Sequence, residues 1–564
     1  MQITMTEHTE KWEDLPLDQF EVEVFHLQKR IHRAASRGDT DKVHRLQRLL
    51  LRSWAARCVA VARVSEQNKG KDTPGVDWVR NLTDAQKLVM ARNLNLRQRV
   101  KPVRRVKIPK PGNPEMRPLG IPAMADRALQ ALVAMALEPE WENHFGPCIY
   151  GFRRGRGCHD AIMAIWGRIL KRPQWVLDAD IEKFFDRVDH DALLRKLETF
   201  PVLEQLIRRL LKSGAINGDM FEPTDQGTPQ GGPLSPVLAN IVMAGLAEAV
   251  EGAWPKYRAP RMIIYADDFV VLHPDRQVLV DCRRIIDDWL QPLGLRLHPG
   301  KTRIVHSLDK AENGAGFDFL GVHIQQHHVG KYAAKPALKG VFTKICPSKR
   351  SIRRALDGAR EILAGTAGSR KRQARWIQRE EQGGPSAEEI VIHRLNRLIR
   401  GWSNYHRPFN SKRTFSHLDN QLFHLVRKWL IRRYPKTGRR ELVSNFLKKP
   451  DSLWQFGVTG KDGKRVTLRR FADTAIQRHT PVQRERSYFD GDSPYWASRT
   501  GDYPGLPPGW GMLFRRQYGR CPNCDEQFDR MHFLHVMEEK QRHLLVHMNC
   551  KSPTTRMSTG QPTS

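Results

Sequence analysis

The chain has 564 residues, of which 40% are apolar and 27% charged, and this length and composition predict several soluble domains. No apolar run approaches the ~20 residues that a membrane-spanning helix needs, and the N-terminal segment lacks the apolar core of a signal peptide. The charge balance is strongly basic, with 94 Lys and Arg against 61 Asp and Glu. A formal charge of +33 predicts a nucleic-acid partner, with a membrane surface as the lesser alternative.

The predicted elements follow a clear order along the chain. Residues 20–64 have the apolar spacing of helices, and a basic segment rich in glycine and proline follows them. Between 121 and 335, helical patterns alternate with short apolar strands, among them "FDFLGVHI" at 317–324. Residues 345–435 return to helical spacing with many basic side chains, whereas 436–515 are basic and aromatic with few long periodic runs. The central alternation predicts an α+β fold.

Two apolar strands carry carboxylates at their ends. The stretch "RMIIYADDFVVL" predicts a hairpin with Asp267 and Asp268 at its turn, although an ordinary turn explains this motif equally well when it is taken alone. The strand "WVLDADI" ends in Asp178 and Asp180. Carboxylates that meet at two strand ends repel each other unless a cation lies between them, and Mg²⁺ is the usual solution. Two such ions would activate a 3′-hydroxyl and stabilise a leaving pyrophosphate.

These motifs resemble those of the reverse transcriptases encoded inside group II introns. "YADD" resembles the YxDD hairpin of reverse transcriptases, and "LDADIEKFFD" resembles their upstream catalytic strand. Further blocks match in the expected order: "TPGVD", "RRVKIPKP", "RPLGIP", "GFRRGRGCHDA", "DQGTPQGGPLSPVLANI" and "FDFLGV". "RLIRGWSNYHR" resembles the helical thumb, or maturase, region of the same proteins. The resemblance extends over roughly residues 20–550.

The resemblance implies a right-hand polymerase with an antiparallel sheet in its fingers and palm. It also implies a helical thumb or maturase domain, a basic DNA-binding region and a small zinc-binding C-terminal domain. The expected boundaries are a helical N-terminal extension at 1–65, fingers and palm at 66–335, thumb at 336–435, the DNA-binding region at 436–510, and an HNH-like zinc domain with its tail at 511–564.

The resemblance also implies the catalytic residues. Asp180 and Asp267 would be the principal ligands of two Mg²⁺ ions, with Asp268 assisting and the backbone carbonyl of Ile181 completing the sphere. Asp178 lies on the same strand face as Asp180, because side chains alternate along a strand. We interpret Asp178 as structural, the alternative being a carboxylate that supports the metal ligands from behind.

Other positions are expected to bind the incoming nucleotide. Lys110 and Arg117 flank a Pro/Gly turn, from which both could reach a triphosphate, and Arg104 is a weaker third candidate. By resemblance, Phe185 would exclude a ribose 2′-hydroxyl, and Gln230 would lie near the templating pair. The simpler alternatives are a solvated basic hairpin, a core phenylalanine and a tight turn before a helix, respectively.

The helix that carries "RGWSNYHR" has mixed faces. By resemblance this helix grips the template–primer duplex and the intron RNA. We therefore assign its basic residues, such as Arg400, to phosphate contact and Trp402 to packing.

Three of the eight cysteines cluster near the C-terminus, whereas the other five are scattered singly, which suits a reducing cytosol. "CPNC" and "HMNC" have the spacing of one tetrahedral Zn²⁺ site formed by Cys521, Cys524, His547 and Cys550.

The C-terminal segment resembles the HNH endonuclease domain of many group II intron proteins but departs from its pattern. The paired-histidine position reads Leu534-His535, the asparagine position reads Arg542, and Lys551 follows the last cysteine. We therefore expect a retained zinc fold in which DNA cleavage is weak or lost.

The sequence thus predicts an RNA-directed DNA polymerase that binds its intron RNA to promote splicing and retrohoming by target-primed reverse transcription. The expected partners are group II intron RNA, an RNA template with a DNA primer, target DNA and deoxynucleoside triphosphates. The expected location is the bacterial cytoplasm, at the nucleoid when the protein acts on DNA, and the oligomeric state stays open. Alternatives are a retron, diversity-generating or defence-associated reverse transcriptase, or a splicing RNA chaperone with a vestigial polymerase.

Overall fold

The computed structural model describes residues 11–109, 116–170, 172–218, 220–228, 230–309, 314–329, 340–366, 386–448, 455–460, 463–483, 485–507, 509–528, 534–539 and 542–550. Of the predicted site residues, Lys110 and Lys551 lie outside these ranges, as does the side chain of Arg542. None of the helices in the described ranges is both long and apolar enough to cross a membrane.

Helices form the N-terminal region, as predicted for residues 20–64. The side chain of Asp39 caps one of these helices by accepting from the amide of Lys42, and Ser53 caps the next by accepting from Ala56. A reciprocal capping box between Thr83 and Gln86 begins the fourth. The helices are α1 (Leu17–Ala35), α2 (Thr40–Arg52), α3 (Trp54–Ala62) and α4 (Asp84–Asn93).

The fingers and palm mix helices and strands, as the α+β prediction requires. In chain order the elements are β1 (Val103–Pro109), β2 (Met116–Ile121), α5 (Met124–Trp141), α6 (Cys158–Ile169), β3 (Trp175–Asp180), α7 (Phe184–Arg187), α8 (His190–Leu197), α9 (Pro201–Leu211), β4 (Ala215–Asn217), β5 (Met220–Glu222), α10 (Ser235–Met243), α11 (Leu246–Gly252), β6 (Arg261–Tyr265), β7 (Asp268–His273), α12 (Arg276–Leu290), β8 (Arg303–His306), β9 (Phe317–Phe319), β10 (Val322–His328) and β11 (Val341–Pro347). The fingers sheet has the order β2-β1-β4-β5, and the palm sheet has the order β6-β7-β3-β8.

The palm sheet is antiparallel throughout and is covered on both faces. Phe269 and Val271 of β7 pack into one core with helices α5 and α12, whereas Val270 and Leu272 pack into a second core with helix α6. Because successive side chains point to opposite faces, a strand buried on both faces must be apolar at every position. This burial explains the continuous apolar flanks of the aspartate pair.

The segment "FDFLGVHI", predicted as one strand, is instead two strands. Leu320 and Gly321 have φ angles of 45° and 81°, which turn the chain back so that β9 pairs with β10 in an antiparallel hairpin. The sequence prediction missed the turn because the leucine inside it preserves the apolar pattern of a strand.

The thumb is a helical bundle with a short sheet against it. Buried side chains such as Leu395, Phe415 and Trp429 form its core. Its elements are α13 (Lys349–Thr366), α14 (Ala387–His406), α15 (Lys412–Arg433), α16 (Arg439–Phe446), β12 (Leu447–Lys448), β13 (Gln455–Thr459) and β14 (Arg465–Thr467).

The remaining residues fold back onto the palm. Trp496 and Phe514 are fully buried in the same core as Val270 of the palm sheet, and Phe25 of helix α1 packs edge-on against Tyr503. The residues predicted as a DNA-binding region at 436–510 thus contribute to two cores, that of the thumb and that of the palm. The elements are α17 (Ser493–Thr500), α18 (Trp510–Arg516), β15 (Leu534–Glu539) and β16 (Arg542–His547).

Candidate active site and metal centre

The aspartate pair lies at a tight hairpin turn. Tyr265 and Asp268 are partners in the ladder between β6 and β7, so Ala266 and Asp267 form a two-residue turn. Ala266 has φ 57°, the positive first angle of a type II′ turn, which matches the twist of the flanking strands. The turn therefore presents the Asp267 carboxylate at the end of the palm sheet.

The block "IYGF" holds this turn from the side. The amide of Tyr150 donates to the carbonyl oxygen of Ile264 at 2.9 Å. A Cβ atom on Gly151 would lie only 2.4 Å from the amide nitrogen of Ala266, so this close approach requires glycine. The buried amide of Asn240, on helix α10, donates to the Gly151 carbonyl at 2.9 Å. The turn that carries Asp267 is thus fixed by backbone contacts that reach into the palm core.

The strand register brings the predicted catalytic carboxylates together. Asp180, the last residue of β3, lies directly opposite Asp268, the first residue of β7. Partial desolvation and the charges of Asp267 and Asp180 raise the pKa of Asp268 to about 7. Burial also raises the pKa of Asp267, while the positive charges of Arg117 and Lys301 act in the opposite direction. Carboxylates held this close favour a bound cation, which relieves their repulsion.

Two basic residues that the sequence reasoning missed stabilise this acidic cluster. Lys301 forms an ion pair with Asp180, and the guanidinium of Arg303 donates two hydrogen bonds of 3.0 Å to one oxygen of Asp178. The second contact agrees with the interpretation of Asp178 as structural. Only the pairing of β8 with β3 reveals these contacts, because more than a hundred residues separate the partners in sequence.

The chain after β3 is held in place by backbone hydrogen bonds. Ile181 and Leu297 form an isolated bridge, flanked by a 2.8 Å bond from the amide of His298 to the carbonyl of Asp180. These bonds fix the backbone at Ile181 beside Asp180, where a carbonyl ligand is predicted.

Phe185 lies on the short helix α7, which begins four residues after the end of β3. Its half-buried ring contacts the fully buried Phe184 edge to face at 5.3 Å. The carbonyl of Phe185 accepts a 2.6 Å bond from the amide of Thr228, and the carbonyl of Gln230 accepts a 2.7 Å bond from Gly120 in the fingers. The predicted Phe185 and Gln230 therefore lie in one connected substructure that joins palm and fingers.

The two described arginines of the fingers have different environments. Arg117 is exposed on β2, and its charge reaches Asp267. Arg104 instead donates a 2.9 Å hydrogen bond to the carbonyl of Pro74, and its guanidinium lies 5.2 Å from the centre of the Trp78 ring. The charge of Arg117 thus acts on the pKa of Asp267, whereas Arg104 is anchored to the loop before β1.

The thumb contacts agree with a packing role for Trp402. Its ring lies edge to face against Phe415 and Phe471, at 6.0 and 5.6 Å, and its indole nitrogen donates to Ser351. Arg400 on the same helix is exposed, as a phosphate contact requires.

The predicted zinc residues converge at the C-terminus. One ligand atom from each of Cys521, Cys524, His547 and Cys550 lies within 4.8 Å of all the others. The Cys524 sulfur and the His547 Nδ1 atom are 3.4 Å apart. Ligands of a tetrahedral zinc ion with ~2.3 Å bonds are separated by roughly 3.8 Å, so the set fits one Zn²⁺.

The β15–β16 hairpin carries the positions compared with an HNH site. His535 is exposed on β15 and lies opposite Val546, while His547 pairs with Leu534. One histidine thus faces solvent, and the other points to the cysteine cluster.

Comparisons with known families agree with this architecture. The family described as reverse transcriptase (RNA-dependent DNA polymerase) matches residues 108–324, and the N-terminal domain of reverse transcriptase matches residues 12–94. The group II intron maturase-specific domain matches residues 370–446.

Individual relatives point the same way. Protein YkfC of Escherichia coli is 32% identical over 343 residues, which cover 52% of this chain and 86% of YkfC. The group II intron-encoded protein LtrA of Lactococcus lactis is 39% identical over 153 residues, or 26% of this chain and 25% of LtrA. The polyprotein of the Drosophila melanogaster retrotransposable element R2DM is 27% identical over 210 residues, or 33% of this chain and 19% of that protein.

The polymerase and maturase matches lie on the palm and thumb described above, and together they identify an RNA-directed DNA polymerase that also binds intron RNA and acts in its splicing. The non-intron alternatives and the vestigial polymerase lack this support. The chain therefore belongs to the group II intron-encoded proteins, in which a reverse transcriptase and a maturase domain are joined.

Proposed function

We propose that the protein inserts its intron into DNA by target-primed reverse transcription, in which it copies intron RNA from the 3′-hydroxyl of a cleaved target strand. The observation that carries this proposal is the register of the palm sheet, which places Asp180 opposite Asp268 with Asp267 at the adjoining turn. Polymerisation from a primer requires such a fixed carboxylate cluster at one end of a rigid sheet.

Asp180, Asp267, Asp268 and the carbonyl of Ile181 would hold two Mg²⁺ ions. The ions supply activation of the primer hydroxyl and neutralisation of the pyrophosphate charge. These donors fit Mg²⁺, because every donor atom is an oxygen and the negative charges of the carboxylates are largely uncompensated. Lys301 offsets part of the repulsion by pairing with Asp180.

The fingers and the turn after β3 would select and orient the deoxynucleoside triphosphate. Arg117 is available for a triphosphate, because it is exposed and near Asp267, and Lys110 would approach from the other side of the fingers turn. Arg104 is bound to the carbonyl of Pro74, so any effect of Arg104 on the nucleotide would be exerted through the loop that contains Pro74. Phe185 would exclude the ribose 2′-hydroxyl, and Gln230 would lie by the templating pair.

The intron RNA and the target DNA would bind the basic faces of the thumb. Helices α14 and α15 bury their apolar sides and expose a row of basic side chains that suits phosphate contact: Arg394, Arg397, Arg400, Arg413, Arg427, Lys428 and Arg432. Acting on chromosomal DNA would place the protein at the bacterial nucleoid.

The C-terminal cluster would hold one structural Zn²⁺ through three sulfurs and one imidazole. The HNH-like hairpin would cut DNA weakly or not at all, because His535 lacks a histidine neighbour in sequence. A nicking assay on the bottom strand of the target tests this point. Robust cleavage that depends on His535 would contradict it.

A reconstituted particle of the protein and its intron lariat RNA tests the main proposal. On target DNA with a pre-formed nick, we expect complementary DNA that is covalently continuous with the nicked strand, and none with Asp267→Ala. Extension of an annealed primer without any product at the nick would refute the retrohoming proposal while leaving the polymerase intact.

A further inference from the structure

Trp78 occupies an unusual position in the loop before the fingers. Its backbone has φ 54°, and 70% of its surface is exposed. A positive φ is an outlier for a bulky residue and costs of order 1–3 kcal/mol. Because the indole is exposed, burial of apolar surface does not offset this cost. A ligand that covers the ring would supply the missing interaction.

The loop around Trp78 is rigidly held. The guanidinium of Arg127, which is only 5% exposed, donates to the carbonyl oxygens of Pro122, Thr73 and Gly70 at 2.8, 2.6 and 3.1 Å. The carboxylate of Asp77 accepts from the first amide of helix α5 at 3.1 Å. The indole is thus presented by a preorganised loop, so that binding it costs little conformational entropy.

One side of the ring already has a partner. The Arg104 guanidinium lies over it, 5.2 Å from the ring centre, and is fixed there by its bond to the Pro74 carbonyl. A cation on one face of an indole leaves the other available for a flat ligand.

The strand register places Arg104 on the same face of the fingers sheet as Arg117. Arg104 is paired with Ile121 and Ile108 with Arg117, and residues an even number apart on a strand share a face. Arg104 therefore shares a face with Arg117, whose charge reaches Asp267. Arg104 and Ile108, the partner of Arg117, lie four residues apart on β1, a distance of about 13 Å along the strand. Arg104 and Trp78 therefore lie away from Arg117, the residue expected to bind the triphosphate, on the same face of the fingers sheet.

We propose that Trp78 is a stacking platform for one unpaired base of the RNA template, ahead of the base being copied, with Arg104 supporting the indole from behind. Stacking of a base on an aromatic side chain tolerates any sequence, as a copying enzyme requires. The proposal depends on the fingers and palm acting as a polymerase, and it adds a binding subsite for the incoming template.

The affinity of the full-length protein for primer–template duplexes with 5′ overhangs of increasing length tests the platform. Wild type is expected to gain about tenfold in affinity when the overhang reaches the platform, a gain typical of one stacked base. Trp78→Ala should lose this gain, and Trp78→Phe should retain most of it. Tyr257→Ala, which removes another exposed aromatic ring (84% exposed), is the matched control and should behave as wild type.

An abasic nucleotide, placed at successive positions of the overhang, distinguishes base stacking from a structural effect of the substitution. In wild type, an abasic nucleotide at one position should remove the gain in affinity. In Trp78→Ala, an abasic nucleotide should lower the affinity at none of the positions. A gain that survives in Trp78→Ala, or the absence of any sensitive position in wild type, would overturn the platform. Primer extension by wild type on a template with a one-nucleotide 5′ overhang, too short to reach the platform, tests the polymerase separately.

Discussion

The hydroxyl of Tyr405, on thumb helix α14, donates a 2.6 Å hydrogen bond to the carbonyl oxygen of Leu320 in the turn between β9 and β10. Leu320 has φ 45°, a conformation that leucine rarely adopts, so the turn needs support from its surroundings. The thumb helix, which is expected to grip the template–primer duplex, thus supports a turn of the palm.

Replacing Tyr405 by phenylalanine should loosen this support, because one hydrogen bond is worth about 1 kcal/mol. We expect a three- to tenfold higher KM for primer–template and shorter products per binding event, with kcat for a single addition unchanged within twofold. Tyr434→Phe is the control, since it removes the 2.9 Å bond to Glu388 elsewhere in the thumb. Equal kinetic changes in both variants would show that the contact is only structural.

Substituting Asp267 by asparagine should remove a metal-ligand charge without changing the shape of the turn. We expect primer extension on an RNA template to fall by a factor of 10³ or more, since the chemistry depends on the bound ions. Asp178→Asn, which mainly weakens the pair with Arg303, should retain activity within about tenfold. Substantial extension by Asp267→Asn would remove the proposed catalytic role.

Phe185→Ala should open the nucleotide site to a ribose hydroxyl. We expect incorporation of ribonucleotides relative to deoxynucleotides to rise about tenfold or more, measured by single-nucleotide competition. The control is Phe184→Ala, which creates a cavity in the core, costs about 3–5 kcal/mol of stability and should leave selectivity unchanged. Unchanged selectivity in Phe185→Ala would indicate a core phenylalanine.

Cys524→Ser should abolish the zinc content, because three ligands hold Zn²⁺ far more weakly than four. Elemental analysis of the purified protein should show one zinc per wild-type chain and almost none in the variant. Thermal unfolding should also shift down, since Leu545 and Val546 of the zinc hairpin share a core with Trp496. Cys346→Ser, outside the cluster, should retain zinc, and a wild-type protein purified without zinc would refute the site.

Glu140 should make stability fall as the pH rises. Burial raises the pKa of its carboxyl to about 7, although the Gln47 amide donates to it at 2.6 Å. Between pH 4.5 and 7 the folded state then binds more protons than the unfolded state, which lowers the free energy of unfolding with increasing pH. Glu140→Gln should be about 1–2 kcal/mol more stable than wild type at pH 8 and no more stable at pH 4.5. Exposed Glu13→Gln is the control, and equal pH profiles for Glu140→Gln and wild type would contradict the shift.

The sequence by itself determined the N-terminal helices, the hairpin of the aspartate pair and the order of the family motifs. These features are local: apolar spacing selects helix or strand, and the turn at Ala266–Asp267 lies within a few residues of both strands it joins. The convergence of Cys521, Cys524, His547 and Cys550 was also predictable, since the structure brings together the four residues of two short motifs.

Only the tertiary structure decided which distant residues meet. The pairing of Lys301 with Asp180, the support of Ala266 by Gly151, and the packing of Trp496 into the palm core all join segments far apart in sequence. No local pattern encodes them, because strand pairing and core packing depend on the path of the whole chain. The split of "FDFLGVHI" has the same cause: the apolar pattern does not reveal a turn whose supporting hydrogen bond comes from Tyr405 in the thumb.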